Sequence, residues 1–213
     1  MKKLLSDRNL FNPISLLILM SIAMPIAFNA WSAMLNNFVV EKAAFTGVEI
    51  GILQSLREVP GFLSFTLIFV LLVIKEQTFA VFSLALLGLG VCLTGFFPTV
   101  YGLYFTTVLM SIGFHYFEAV KQSLSLQWLS KEEAPIILGK LLAVGSLTSL
   151  IVYGCLWTLL EFFQLPYWIN FAIAGGICIF LALVMFIFYP AFPSKVEQNQ
   201  NLVLRKRYWL YYL

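Results

Sequence analysis

Five charged or titratable side chains sit inside stretches of the chain that are otherwise apolar. Arg57 and Glu58 lie near the middle of one run, and His115, Glu118 and Lys121 lie within another. A lone charge at the centre of a bilayer costs at least ~2.5 kcal/mol even on insertion scales, so each of these groups calls for a partner. Adjacent helical residues point about 100° apart, so Arg57 and Glu58 are not expected to neutralise each other. Across a helix bundle, Arg57 can instead meet Glu118, and Glu58 can meet His115 or Lys121. The chemistry open to such a group is binding of an ionic solute or relay of a proton. A carboxylate shielded from water holds its proton to higher pH, and histidine titrates near neutrality. The same residues can equally form an ion-pair network that only fixes helix register. Lys121 can also snorkel to an interface.

Polar residues flank these charges at helical spacing. Thr107, Ser111, His115, Glu118, Gln122 and Ser125 follow one another at steps of three or four, which places them on one face of a helix. Ser21, Pro25, Asn29, Ser32 and Asn36 do the same earlier in the chain. Arg57, Glu58, His115, Glu118, Gln122, Asn29 and Asn36 are therefore the candidate substrate-binding or proton-coupling residues. For the asparagines, hydrogen bonding between helices is the competing role. There is one histidine, and Cys92, Cys155 and Cys178 are widely separated. No catalytic residues, metal site or cofactor are expected from that set.

The elements that hold these residues are membrane helices. Of 213 residues, 61% are hydrophobic and 11% charged, against roughly 25% charged in soluble domains. The mean hydropathy is +0.93. A spanning helix needs about 20 apolar residues, and six segments qualify: 13–35, 47–74, 79–97, 101–128, 136–160 and 166–189. Short connections make consecutive helices antiparallel. Ten of the Lys and Arg residues, Lys75 and Lys131 among them, fall on one side, and only Lys42 falls on the other. The positive-inside rule then puts both ends of the chain in the cytoplasm, and the protein in the cell (inner) membrane. Trp31, Trp128, Trp157, Trp168 and Trp209 are read as an interfacial aromatic belt.

The fold class expected is all-α, with residues 1–192 forming a six-helix transmembrane bundle. Residues 193–207 form a cytoplasmic linker, and 208–213, behind Arg205-Lys206-Arg207, open a truncated seventh helix. Small residues recur at every fourth position in Gly47, Gly51 and Ser55, and again in Gly145 and Ser149, faces suited to close helix packing. The third and sixth segments are nearly all apolar and are expected to face lipid. Polarity thus runs high, middling, low, and then repeats, the profile of a 3+3 inverted repeat.

With this profile, with the stretches 53–63 and 113–118, and with a long connection after the sixth segment, the chain resembles the N-terminal six-helix half of the major facilitator superfamily. That resemblance implies helices one and four lining a cavity, two and five flanking it, and three and six outermost. It also implies a secondary active transporter of a small solute working by alternating access, completed by a C-terminal six-helix half. The family's Gly-x-Leu-x-Asp-Arg-x-Gly-Arg-Arg pattern between helices two and three is absent. Its place is taken by Ile74-Lys75-Glu76-Gln77-Thr78. The Arg-x-x-x-Gly of helix four and the Gly-x-x-x-Gly-Pro of antiporter fifth helices are absent too, so the resemblance carries no standard gating salt bridge. Two other functions remain open on sequence: a complete six-helix channel or accessory subunit acting as a homo-oligomer, and a membrane-embedded enzyme. The partners expected are the lipid bilayer and a small-molecule substrate, and no nucleic acid. In a background lacking the three native cysteines, Thr46→Cys should react with a membrane-impermeant maleimide on intact cells and Ser130→Cys should not. The reverse pattern would overturn the orientation.

Overall fold

A computed structural model describes residues 11–193. The expected linker beyond Pro193, the seventh-helix start at 208–213 and the terminal basic residues lie outside the described residues. Among the described residues the chain is helical throughout, without a strand. The elements are α1 (Pro13–Ala43), α2 (Gly47–Phe62), α3 (Leu67–Leu71), α4 (Glu76–Thr94), α5 (Val100–Trp128), α6 (Ala134–Glu161) and α7 (Tyr167–Phe188). A 3-10 segment, Leu63–Thr66, joins α2 to α3, so there are six helical rods.

Local chemistry sets the ends of these elements. Asn12 caps α1 through the Ser15 backbone, Ser15 bonds back to Asn12, and Pro13 supplies a first-turn residue that needs no N–H partner. Thr46 and Glu49 form the same reciprocal box at α2. Thr99 caps α5 through the Gly102 N–H. The first rod outruns its expected end at 35 and reaches Ala43, where Ala44 closes it in the left-handed conformation at φ 52°. The second rod is interrupted. Pro60 removes the N–H that would bond the Leu56 carbonyl, and the chain tightens to 3-10 geometry three residues later.

Among the described residues four helices are long and apolar enough to cross a membrane: α1, α4, α6 and α7. This is compatible with a multi-pass membrane protein. α2 is too short at 16 residues. α5 has 29 residues, yet it carries His115, Glu118, Lys121 and Gln122.

α4 packs on α5 and α7; α1 packs on α6 and α7; α2 packs on α5. Only minor contacts link α6 to α5 and to α7. Glycine makes the tightest of these joints. A Cβ on Gly113 would lie 2.3 Å from the Leu87 backbone nitrogen, and one on Gly90 would lie 2.5 Å from that of Met110. Gly175 faces the Gly88 carbonyl in the same way, at 2.4 Å. These approaches explain a departure from the sequence reading. Half of the α4 span is buried and a third of the α7 span, against 11% for α6. The third and sixth rods are therefore packed along one face, although Phe82, Phe180 and Phe186 remain exposed. The fifth rod is the most exposed of the four apolar spans.

Two further expectations are corrected. Trp31 is no belt residue; it is fully buried, beside Phe28, among the largest core side chains. The small face of α2 meets nothing among the described residues, since a Cβ at Gly47 or Gly51 would touch no atom within 4 Å. Gly113→Ala forces backbone apart and should destabilise the bundle by about 1–3 kcal/mol. Gly154→Ala, which points into open space, should be neutral. Thermal unfolding in detergent distinguishes the two.

Candidate functional site

The polar faces of α1 and α5 do not meet along their whole length, and the structure divides the candidate residues between two places. The first is a cleft of about 530 Å³ between α1, α5 and α6. Its polar lining includes Asn29, Ser21, Glu118, Lys121, Gln122 and Ser149, and its apolar walls include Met24, Phe28, Phe114 and Leu141. Phe28 and Phe114 stack across it with ring centroids 4.1 Å apart and planes 14° from parallel.

The wall shared by α1 and α6 follows from Pro25 and Gly145. Pro25 has no N–H to give the Ser21 carbonyl, four residues back. Gly145 of α6 lies against that carbonyl, with room for a Cβ only at 3.5 Å. One turn further on, the Asn29 Nδ2 donates to the Ser149 Oγ at 2.6 Å, and that hydroxyl donates to the Gly145 carbonyl at 2.8 Å. The bond joins residues 120 apart in sequence.

On the opposite wall, Glu118 does not meet Arg57. It faces Lys121 one turn along α5, with Nζ and Oε1 3.6 Å apart. Among the described residues no donor bonds to Oε1, which is itself shut off from solvent, and the Ser21 hydroxyl is likewise buried without a partner. Lys121 does not snorkel freely: its side chain is 18% exposed, and its ammonium lies 5.7 Å over the Phe117 ring.

The second place is the α2–α5 contact. Here Arg57 and Glu58 do pair, against expectation, with Nη2 and Nε of the guanidinium donating to one carboxylate oxygen at 2.6 and 2.9 Å. Their backbones diverge, but the long arginine arm bends around the helix to its neighbour. The second Glu58 oxygen approaches His115 Nε2 at 3.9 Å. The Glu58 side chain is 60% exposed, so this pair is held at the bundle surface. Around it, the Ser111 hydroxyl donates to the Arg57 carbonyl, and the Tyr116 and Thr66 hydroxyls lie 2.6 Å apart. Gly61, just beyond Pro60, admits the His115 ring: a Cβ there would be 2.7 Å from Cε1.

Of the seven candidates, Asn29, Glu118 and Gln122 therefore share the cleft. Arg57, Glu58 and His115 share the second cluster, and Asn36 is exposed on the far part of α1 outside both. Sequence reasoning missed the walls. Phe28, Phe114, Met24 and Leu141 look like any lipid-facing residue, and Phe114 has a signal only in being adjacent to His115. It also missed Glu76, which accepts from Ser123 at 3.1 Å and ties the start of α4 to the end of α5. Among the described residues no three His, Cys, Asp or Glu side chains converge as metal ligands would.

Compared with models of protein families, with curated proteins and with solved structures, the chain matches none.

A double-mutant cycle on Asn29→Ala and Ser149→Ala should return a coupling of about 0.6 kcal/mol, the usual size for an interhelical hydrogen bond in a membrane protein. Reversible unfolding in SDS measures it, and full additivity would show that the bond contributes nothing.

Proposed function

We propose that all six rods cross the membrane, with both ends of the chain in the cytoplasm, and that the bundle is one six-helix half of a secondary transporter. It moves a small solute by alternating access, and the cleft between α1, α5 and α6 is half of its binding site. The observation that carries this reading is the cleft itself. A largely apolar hollow with polar side chains contributed by all three helices, an ion pair among them, lies between apolar helices, and polar groups so placed mark solute and ion pathways.

The pattern of helix contacts supports it. Exchange the first rod with the fourth, the second with the fifth and the third with the sixth. The α1–α6 contact then becomes the α5–α2 contact, α1–α7 becomes α5–α4, and α4–α7 maps onto itself. Antiparallel succession makes the exchanged rods point in opposite senses, which is the relation of an inverted repeat. The correspondence has gaps: α1 touches α4 while α5 and α7 share no contact of that weight, and the minor α5–α6 and α6–α7 contacts have no counterparts of their weight in α1–α2 and α2–α4. The exposed α2 and α6 supply the surfaces on which a second six-helix half closes the cleft. Glu118 is the group placed to bind solute or carry a proton, and the Arg57–Glu58–His115 cluster is a separate latch on the α2–α5 contact.

The intact protein in proteoliposomes should show solute counterflow in a small-molecule screen. Glu118→Gln should insert normally and lower that flux ~10-fold or more, the equivalent of about 1.4 kcal/mol. Ion conductance without counterflow would sink the transporter reading in favour of a channel.

A further inference from the structure

The lining of the cleft bears on the class of solute, an inference that rests on reading the cleft as the transport site. Among the described residues its charged lining groups are Glu118 and Lys121 alone. They are of opposite sign, so the cleft is neutral as a whole. At 3.6 Å the two are close enough to attract but too far apart to hydrogen-bond. Among the described residues Glu118 Oε1 has no hydrogen-bond donor, while the Glu118 side chain as a whole is 41% exposed and so open to the cleft. Lys121 is held by Phe117 rather than by a second carboxylate. The two thus form a long ion pair with no close hydrogen bond between them, which leaves the carboxylate open to a donor cation and the ammonium open to an anion.

We propose that the cleft binds a zwitterionic small molecule bearing an apolar side group, in chemical class an aliphatic or aromatic amino acid. Its ammonium sits on Glu118 and its carboxylate on Lys121. A singly charged solute would satisfy one of the two and repel the other, leaving a net charge between the helices. An uncharged polyol can hydrogen-bond to both groups but brings no opposite charge to either. A zwitterion replaces one long ion pair by two short charge-assisted hydrogen bonds and keeps the site neutral. The apolar side group lies against the stacked Phe28 and Phe114 rings, with Met24 and Leu141 completing that wall. A volume of about 530 Å³ accommodates such a molecule.

The test uses the full chain purified in detergent and reads the change in Tm on adding L-leucine, L-phenylalanine, leucinol, 4-methylpentanoate or glucose at equal concentration. Ligand that binds only the folded state raises Tm. Leucine or phenylalanine should stabilise the protein, whereas leucinol, which lacks the carboxylate, and 4-methylpentanoate, which lacks the amine, should not. Lys121→Met and Glu118→Gln should each weaken the amino-acid effect ~10-fold or more in Kd, for the loss of a charge-assisted bond. The proposal is overturned if a singly charged analogue stabilises as well as the zwitterion, if only glucose acts, or if none of the five does. Counterflow separates this from the transport reading. Stabilisation by leucine without leucine counterflow keeps the solute class and removes transport, and counterflow confined to a non-zwitterionic solute does the opposite.

Discussion

Close approach of backbones, made possible by glycine, is the constraint on which this bundle depends. In lipid, apolar side chains gain little by leaving the surroundings for one another, so helix association rests on van der Waals fit and a few hydrogen bonds. At Gly113, Gly90, Gly88 and Gly175 the helices come so near that a single Cβ would strike backbone. These contacts fasten α5 to α4 and α4 to α7. They leave the polar side of α5 turned toward α2 at one end and toward α1 and α6 at the other.

That placement explains why one polar stripe serves two sites. Thr107, Ser111 and His115 belong to the part of α5 that packs with α2. There Ser111 reaches the Arg57 carbonyl and His115 fits against Gly61. Glu118, Gln122 and Ser125 belong to the part that opens on the cleft. Proline and glycine act together on both sides. Pro25 frees a carbonyl on α1 that Gly145 of α6 meets at ordinary contact distance, and Pro60 breaks the second rod beside Gly61, where α5 brings its histidine.

Much of this was legible in the sequence, because membrane helices are declared by length and apolarity alone. Five of the six rods match their expected ends within a few residues. The first ran longer because Asn36, Asn37 and Lys42 are compatible with a helix continuing beyond its apolar core. The spacing rule found the cleft residues Asn29, Glu118 and Gln122, since exclusion of polar groups from lipid leaves a helical period in the chain. It misplaced Asn36, because a residue near a helix end is free of that exclusion. It misjudged the third and sixth rods for a related reason: an apolar helix is equally at home against lipid or against another helix, and only the three-dimensional match of Gly88 to Gly175 separates the two. The Arg57–Glu58 pair escaped because helical angle describes where side chains start and not how far a guanidinium can bend.

The uneven distribution of contacts makes the bundle mechanically anisotropic. α4, α5 and α7 form a stiff spine in which sliding would drive backbone into backbone. α6 is compliant by comparison: its main neighbour is α1, along a seam held by the Asn29–Ser149 bond and the bare surface of Gly145. α2 stands in the corresponding relation to α5, with Pro60 softening it from within. Packed interfaces shift between discrete arrangements and do not stretch, so displacement concentrates at these two seams. One seam lies on the spine itself, at α5, and the other on α1, which rests against the spine through α7. A rigid core with two yielding leaves can deform in two senses without remaking its interior, and each deformation strains only a handful of bonds.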